Sequence, residues 1–101
     1  KTGVNYNLSK GAHYPEVIVD ENLYLNLSEK LSNQFSFIDC GYKMTGEDFG
    51  LFSKKFPSFM FWLGTSKGER YGLHNPKFLP ADDTIETGKN IFQSILSIIA
   101  E

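Results

Sequence analysis

The chain has 101 residues, a size that fits one small domain with a modest core. Its formal net charge is −2, its basic residues are scattered, and it holds a single cysteine. These features argue against nucleic acid as the main partner, against a membrane span and against an internal disulfide. We expect a cytoplasmic protein. Because the chain begins with Lys1 rather than Met, we also expect it to be part of a longer polypeptide.

The N-terminal segment combines a strand pattern with a linker. Residues 4–8 alternate apolar and polar side chains, which is the period of a half-buried strand. Residues 13–19 follow a short turn and contain Pro15. Because proline lacks a backbone donor, this stretch is expected to be a linker or a sheet edge.

The first predicted helix begins near Asp20 or Asn22, either of which can cap it, and continues to about residue 33. Its apolar residues recur every four positions, with Tyr24 beside them, and form one stripe: Leu23, Leu27 and Leu31. We expect this stripe to face a core.

A strand at residues 35–40 and a second helix follow. Thr45 and Asp48 have approximately the spacing of a capping box, and the helix should extend to about Phe56 before Pro57 stops it. The run at residues 58–64 is apolar at nearly every position, which is typical of a strand buried on both faces. We expect the phenylalanines and Trp62 to lie in the core.

A polar loop and a turn-rich stretch at residues 71–78 lead to the last helix. Asp82 or Asp83 can cap this helix, and Asp83 and Glu86 have capping-box spacing. Helices and strands alternate from residue 20 onward, which predicts an α/β fold with helices packed on a mixed sheet. The strand at residues 4–8 has no sequence neighbour to pair with, so we expect it to be a stray strand from another sheet.

Four stretches resemble the C-terminal part of the zinc-dependent amidohydrolases of the aminoacylase and carboxypeptidase type, in the family's order and spacing. They are MTGEDF at residues 44–49, FMFWLG at 59–64, YGLH at 71–74 and FLPADD at 78–83. One stretch alone would carry little weight, whereas four in order argue against a chance match. Within the family, the motifs are closest to a bacterial deacetylase of lysine biosynthesis.

The resemblance implies that the chain comprises parts of two domains. Residues 1–19 would be the last strand of a lid or dimerisation domain together with the return linker. Residues 20–101 would be the C-terminal part of a layered α/β metallohydrolase catalytic domain. The implied partners are an N-acyl amino acid substrate and the remainder of the polypeptide. The apolar edge of the strand at residues 59–63, or the strand at residues 4–8, also predicts association with a further copy of the chain.

The implied chemistry is metal-dependent removal of the acyl group. A divalent metal, zinc or alternatively manganese or cobalt, would be bound mainly by residues that this chain lacks. No stretch matches the family's general base, so we expect no catalytic residue here and no activity of the chain alone. A non-catalytic α/β binding or structural module is the alternative, as is a related aminoacylase or carboxypeptidase.

His74 is the candidate metal ligand. Taken alone, a single histidine beside Asn-Pro indicates an ordinary loop residue, whereas the resemblance of YGLH implies a ligand. Glu47 and Asp48 suit the first turn of a helix by charge, and the resemblance also implies a position near the substrate. Gly46 and Gly64 either allow a ligand to approach the backbone closely or are simple turn residues.

Overall fold

Three helices carry the regular structure of the chain, and long irregular segments join them. The computed structural model describes residues 2–101, with α1 at Glu21–Ser32, α2 at Gly50–Ser53 and α3 at Thr84–Ala100. Helices α1 and α3 pack against each other although about half of the chain separates them in sequence. None of the helices in these residues has the length and apolar character that a bilayer span needs.

Helix α1 begins where the sequence predicts. The Asp20 carboxylate accepts a hydrogen bond from the backbone N–H of Leu23 at 2.9 Å, and Asn33 ends the helix. Glu21 in the first turn and Lys30 in the last turn both complement the helix dipole. Local signals therefore define both ends of this helix, and the prediction is confirmed.

The core lies between α1 and α3. Leu27 and Leu31 of α1 are buried against Ile98 of α3. Partly buried residues surround this centre: Leu23, Phe35, Phe37, Phe59 and Ile95. The leucine stripe predicted for α1 thus faces the core, and it provides most of the fully buried apolar surface of residues 2–101.

Helix α3 starts near the predicted position, but the expected capping box does not form. Asp83 is the N-cap residue and makes no side-chain hydrogen bond to the helix. Its carboxylate instead accepts from the Lys67 ammonium at 2.5 Å, while Glu86 pairs with Lys89 at 2.7 Å. Ion pairs outside the cap therefore occupy both carboxylates.

Helix α2 is much shorter than predicted. It begins after Phe49 without a side-chain cap, so the capping box expected from Thr45 and Asp48 is wrong. Phe52 and Phe56, which were expected to lie in the core with the other phenylalanines, are more than half exposed. A short helix gains most of its stability from packing an apolar face, and these two side chains are left largely uncovered.

No β-strand occurs among residues 2–101, so the predicted sheet and the stray strand at residues 4–8 are not confirmed. Strand backbone groups need partners in a neighbouring strand, and this part of the chain supplies no ladder. The stretch at residues 58–64 is not buried on both faces, since Trp62 is 48% exposed. The expectation that Trp62 and the phenylalanines all lie in the core is therefore wrong.

The fold leaves an unusually large surface in contact with solvent. The accessible surface is 9029 Å², whereas a compact protein of this mass exposes about 5,800 Å². The radius of gyration is 18.3 Å, against about 13 Å for a compact chain of this length. Much of the apolar surface predicted to be internal is consequently exposed.

Candidate metal centre

His74 lies at an exposed reverse turn. The backbone N–H of Asn75 donates to the carbonyl of Gly72 at 2.9 Å, which makes His74 the third residue of that turn. A second turn follows, because Phe78 N–H donates to the Asn75 carbonyl at 2.9 Å. The Asn75 side chain also accepts from the Lys77 N–H at 2.9 Å, so Asn75 joins the two turns.

Tyr71, just before this turn, interacts with two charged side chains. Its hydroxyl donates to the Glu69 carboxylate, and this hydrogen bond, with a smaller effect of desolvation, raises the pKa of Tyr71 above 10.0. The Lys77 ammonium lies 5.8 Å from the centre of the Tyr71 ring, within the range of a cation–π contact. Glu69 is thus engaged with Tyr71 rather than with His74.

The described residues do not form a complete metal centre. A zinc site takes three or four His, Cys or carboxylate ligands. Residues 2–101 contain no group of three such side chains placed to hold one ion. Cys40 is exposed, and its thiol contacts only the neighbouring carbonyl of Gly41, at 3.6 Å. These residues therefore do not complete a zinc site by themselves, and His74 is the candidate ligand that the sequence indicates.

Glu47 and Asp48 organise the approach to α2. The Glu47 carboxylate accepts from the Phe49 N–H at 3.2 Å. The backbone carbonyl of Asp48 accepts from the Leu51 N–H at 3.0 Å. Glu47 is half-buried and Asp48 is exposed. The first turn of α2 contains no acidic residue, so the helical position predicted for them from their charge is wrong, and Glu47 bonds the turn before the helix instead.

Gly46 and Gly64 lie in different surroundings. A Cβ atom on Gly46 would be 3.8 Å from the Tyr14 ring, an ordinary contact, and one on Gly64 would meet nothing within 4 Å. Gly64 borders a shallow polar depression beside the Lys67–Asp83 ion pair. Neither glycine is required by crowding within residues 2–101.

Asp39 and Tyr24 form a polar pair that no pattern in the sequence predicts. The Asp39 carboxylate accepts from the Gly41 N–H and from the Tyr24 hydroxyl, each at 2.8 Å. These bonds, the backbone bond most strongly, hold the pKa of Asp39 below its usual value. The same contact raises the pKa of Tyr24. An Asp two residues before a glycine was the available signal, because such a carboxylate often bonds the backbone of a following turn.

Comparison with known proteins identifies the family. Residues 3–98 match Peptidase family M20/M25/M40, and the chain belongs to that family. Membership supports an α/β fold class and a hydrolase role for the family domain. The resemblance predicted from the four motifs is confirmed. No solved structure matches the chain.

Three similar curated proteins share one name. The N-acetyldiaminopimelate deacetylase of Bacillus pumilus is 34% identical over 94 residues, covering 87% of this chain and 24% of that relative. Its namesake from Exiguobacterium sibiricum is 37% identical over 83 residues, covering 82% of this chain and 22% of the relative. That of Oceanobacillus iheyensis is 38% identical over 90 residues, covering 86% and 24%. The chain thus spans about a quarter of the length of the curated relatives it matches.

Proposed function

We propose that this chain is part of a metal-dependent amide hydrolase that removes the acetyl group from N-acetyldiaminopimelate during lysine biosynthesis in the cytoplasm. The observation that carries the proposal is the match of residues 3–98 to the M20 family. It is supported by the three similar proteins named as deacetylases of that compound. The reaction hydrolyses one amide bond and yields acetate and a free amine.

His74 is proposed to be one ligand of a zinc ion in the complete enzyme, with manganese or cobalt as alternatives. Its exposed turn supports this role, because the side chain remains accessible to ligands from another part of the polypeptide. Such a metal would serve as a Lewis acid in amide hydrolysis. The turn that carries Gly46, Glu47 and Asp48, together with Gly64, is proposed to lie near the substrate.

The chain is proposed to require the remainder of a longer polypeptide. Residues 1–19 would belong to the lid domain and its return linker, and residues 20–101 to the catalytic domain. The large accessible surface supports the need for further polypeptide, because strands from elsewhere could pair with residues 35–40 and 58–64 and cover their apolar side chains. Without that cover the chain should self-associate, and a monodisperse monomer in light scattering would contradict this expectation.

The function is tested by comparing the 101-residue chain with the longer polypeptide that its gene encodes. The longer protein, supplied with zinc, should release acetate from N-acetyldiaminopimelate, and the short chain should release none. A coding region that starts just before Lys1, or a longer protein that hydrolyses no N-acyl amino acid, would favour the non-catalytic module. Faster hydrolysis of another N-acyl amino acid or of a peptide would indicate a related aminoacylase or carboxypeptidase.

The ligand assignment has a matched control in the chain's other histidine. Like His74, His13 is exposed. His74→Ala should weaken zinc binding and lower acetate release at least about 100-fold. Substitution of residues that only hydrogen-bond the metal ligands already costs up to about 100-fold, and loss of a ligand itself should cost no less. His13→Ala should alter neither. Bound zinc, measured by elemental analysis after dialysis, separates loss of the metal from other defects, and full zinc content in His74→Ala would contradict the assignment.

A further inference from the structure

Two consecutive turns shape the loop around His74, and the sequence favours only the second of them. That turn starts with Asn75 and Pro76, which are residue types that a turn prefers at its first and second positions. The first turn has Leu73 and His74 at its centre, and neither residue type has a comparable preference. His74 therefore lies in the turn that its own residues determine less well, and its position depends on other contacts.

Tyr71 and Lys77 provide such a contact across the base of the His74 loop, residues 71–77. Tyr71 precedes the first turn and Lys77 lies in the second, with His74 midway between them along the chain. The Lys77 ammonium is 5.8 Å from the centre of the Tyr71 ring, and a cation over an aromatic face at this distance is attracted to it. The contact therefore joins the two ends of the loop.

Other hydrogen bonds restrain both members of this pair. The Tyr71 hydroxyl donates to the Glu69 carboxylate, and the Tyr71 side chain is half-buried although His74 and Lys77 are exposed. On the other side of the loop, the Lys77 N–H donates to the Asn75 side chain at 2.9 Å. Because each partner is already restrained, less conformational entropy is lost when the ring and the ammonium meet.

We propose that Tyr71 and Lys77 are positioning residues, which close the His74 loop and restrict the orientation of the His74 imidazole before a metal ion binds. They act on the backbone that carries the imidazole and need no contact with metal or substrate. A ligand that is restrained in advance loses less conformational entropy on binding, so the complete site should bind its metal more tightly. The closure of the loop stands independently of the proposed function, whereas its effect on the metal rests on the proposed role of His74.

The closure is tested in the metal-free 101-residue chain by hydrogen exchange of the Asn75 amide, whose bond to Gly72 closes the first turn. Tyr71→Leu and Lys77→Gln should each accelerate this exchange about 2- to 5-fold, in keeping with an exposed cation–π contact. Neither residue adjoins Asn75 in the sequence, so the substitutions do not alter its intrinsic exchange rate. Millisecond pulse labelling at low protein concentration, with fragmentation to single residues, gives the rates.

Two controls and a double variant separate this contact from a general loosening of the chain. Lys77→Arg keeps a cation for the ring and should exchange like the unaltered chain. Lys55→Gln makes the same change at an exposed lysine outside the loop and should have no effect. Because both single substitutions remove one shared contact, the double variant should exchange no faster than Tyr71→Leu alone. Additive accelerations, or unchanged exchange in both single variants, would refute the closure.

The effect on the metal is measured in the longer polypeptide, through its zinc affinity in competition with a chelator. Tyr71→Leu and Lys77→Gln should each weaken zinc binding by up to the same factor, about 2- to 5-fold, and Lys77→Arg should not. If His74→Ala loses zinc while both variants bind it normally, the positioning role is refuted and the ligand assignment stands. If His74→Ala keeps its zinc, the ligand assignment fails and the positioning role fails with it, whatever the exchange rates show.

Discussion

Leu27 offers the sharpest test of the core between α1 and α3. Its side chain is 1% exposed, the most deeply buried of the described chain. Leu27→Ala removes apolar carbon worth about 2.4 kcal/mol, at about 0.8 kcal/mol for each methylene-sized group. The cavity left behind adds to this, because neighbouring side chains relax only partly. We expect the free energy of unfolding to fall by about 3 kcal/mol.

The measurement is urea unfolding of the 101-residue chain at one low protein concentration for all variants, since self-association would add to the apparent stability. Unfolding is followed by the helical signal in far-ultraviolet circular dichroism. The control is Leu25→Ala on the same helix, where the side chain is 57% exposed. Leu25→Ala should alter the free energy of unfolding by no more than about 0.5 kcal/mol, because the leucine side chain buries little apolar surface and alanine is a good helix former. Equal losses for the two variants would refute the orientation of α1 against α3.

Two further predictions concern polar groups around α1. Asp20→Ala removes the acceptor for the Leu23 N–H and should lower the free energy of unfolding by about 1 kcal/mol in the same urea titration. Asp20→Asn keeps an acceptor oxygen and should unfold at nearly the same urea concentration as the unaltered chain. Asp39 titrates below its usual 3.8 in the folded chain, so its stabilising contribution is present above pH 3.8 and is lost as the pH falls through the folded pKa. Tyr24→Phe should raise that pKa in a carboxyl NMR titration, and an unchanged pKa would contradict the Tyr24–Asp39 hydrogen bond.

Local signals explain which helices the sequence could predict. Helix α1 has a cap, favourable end charges and an apolar stripe, and all three depend on residues within a few positions of each other. Helix α2 shows how such signals fail when competing contacts exist. Its predicted cap at Thr45 is unused, and Gly50 packs on the N-terminal segment instead. Asp83 likewise bonds Lys67, a partner that helix-cap spacing cannot reveal.

The strands and the metal site were harder to predict from the sequence than the helices, for a different reason. A strand pattern states which side chains alternate, but the ladder needs a second strand, and residues 2–101 provide none. A single metal ligand such as His74 similarly does not define a metal site without the other ligands of the ion. The motif YGLH identified the candidate through resemblance, whereas spacing within this chain could not supply the others.

The pairing of α1 with α3 has a consequence for biosynthesis. Lys30 near the end of α1 pairs with Glu101, 71 residues later, and Leu27 meets Ile98 across a similar stretch. At about 5–20 residues per second, a ribosome needs roughly 4–14 s to make that stretch. During this interval the leucine stripe of α1 has no α3 to cover it. The apolar stripe of α1 should therefore be accessible to chaperones for several seconds, until α3 has been synthesised and covers it.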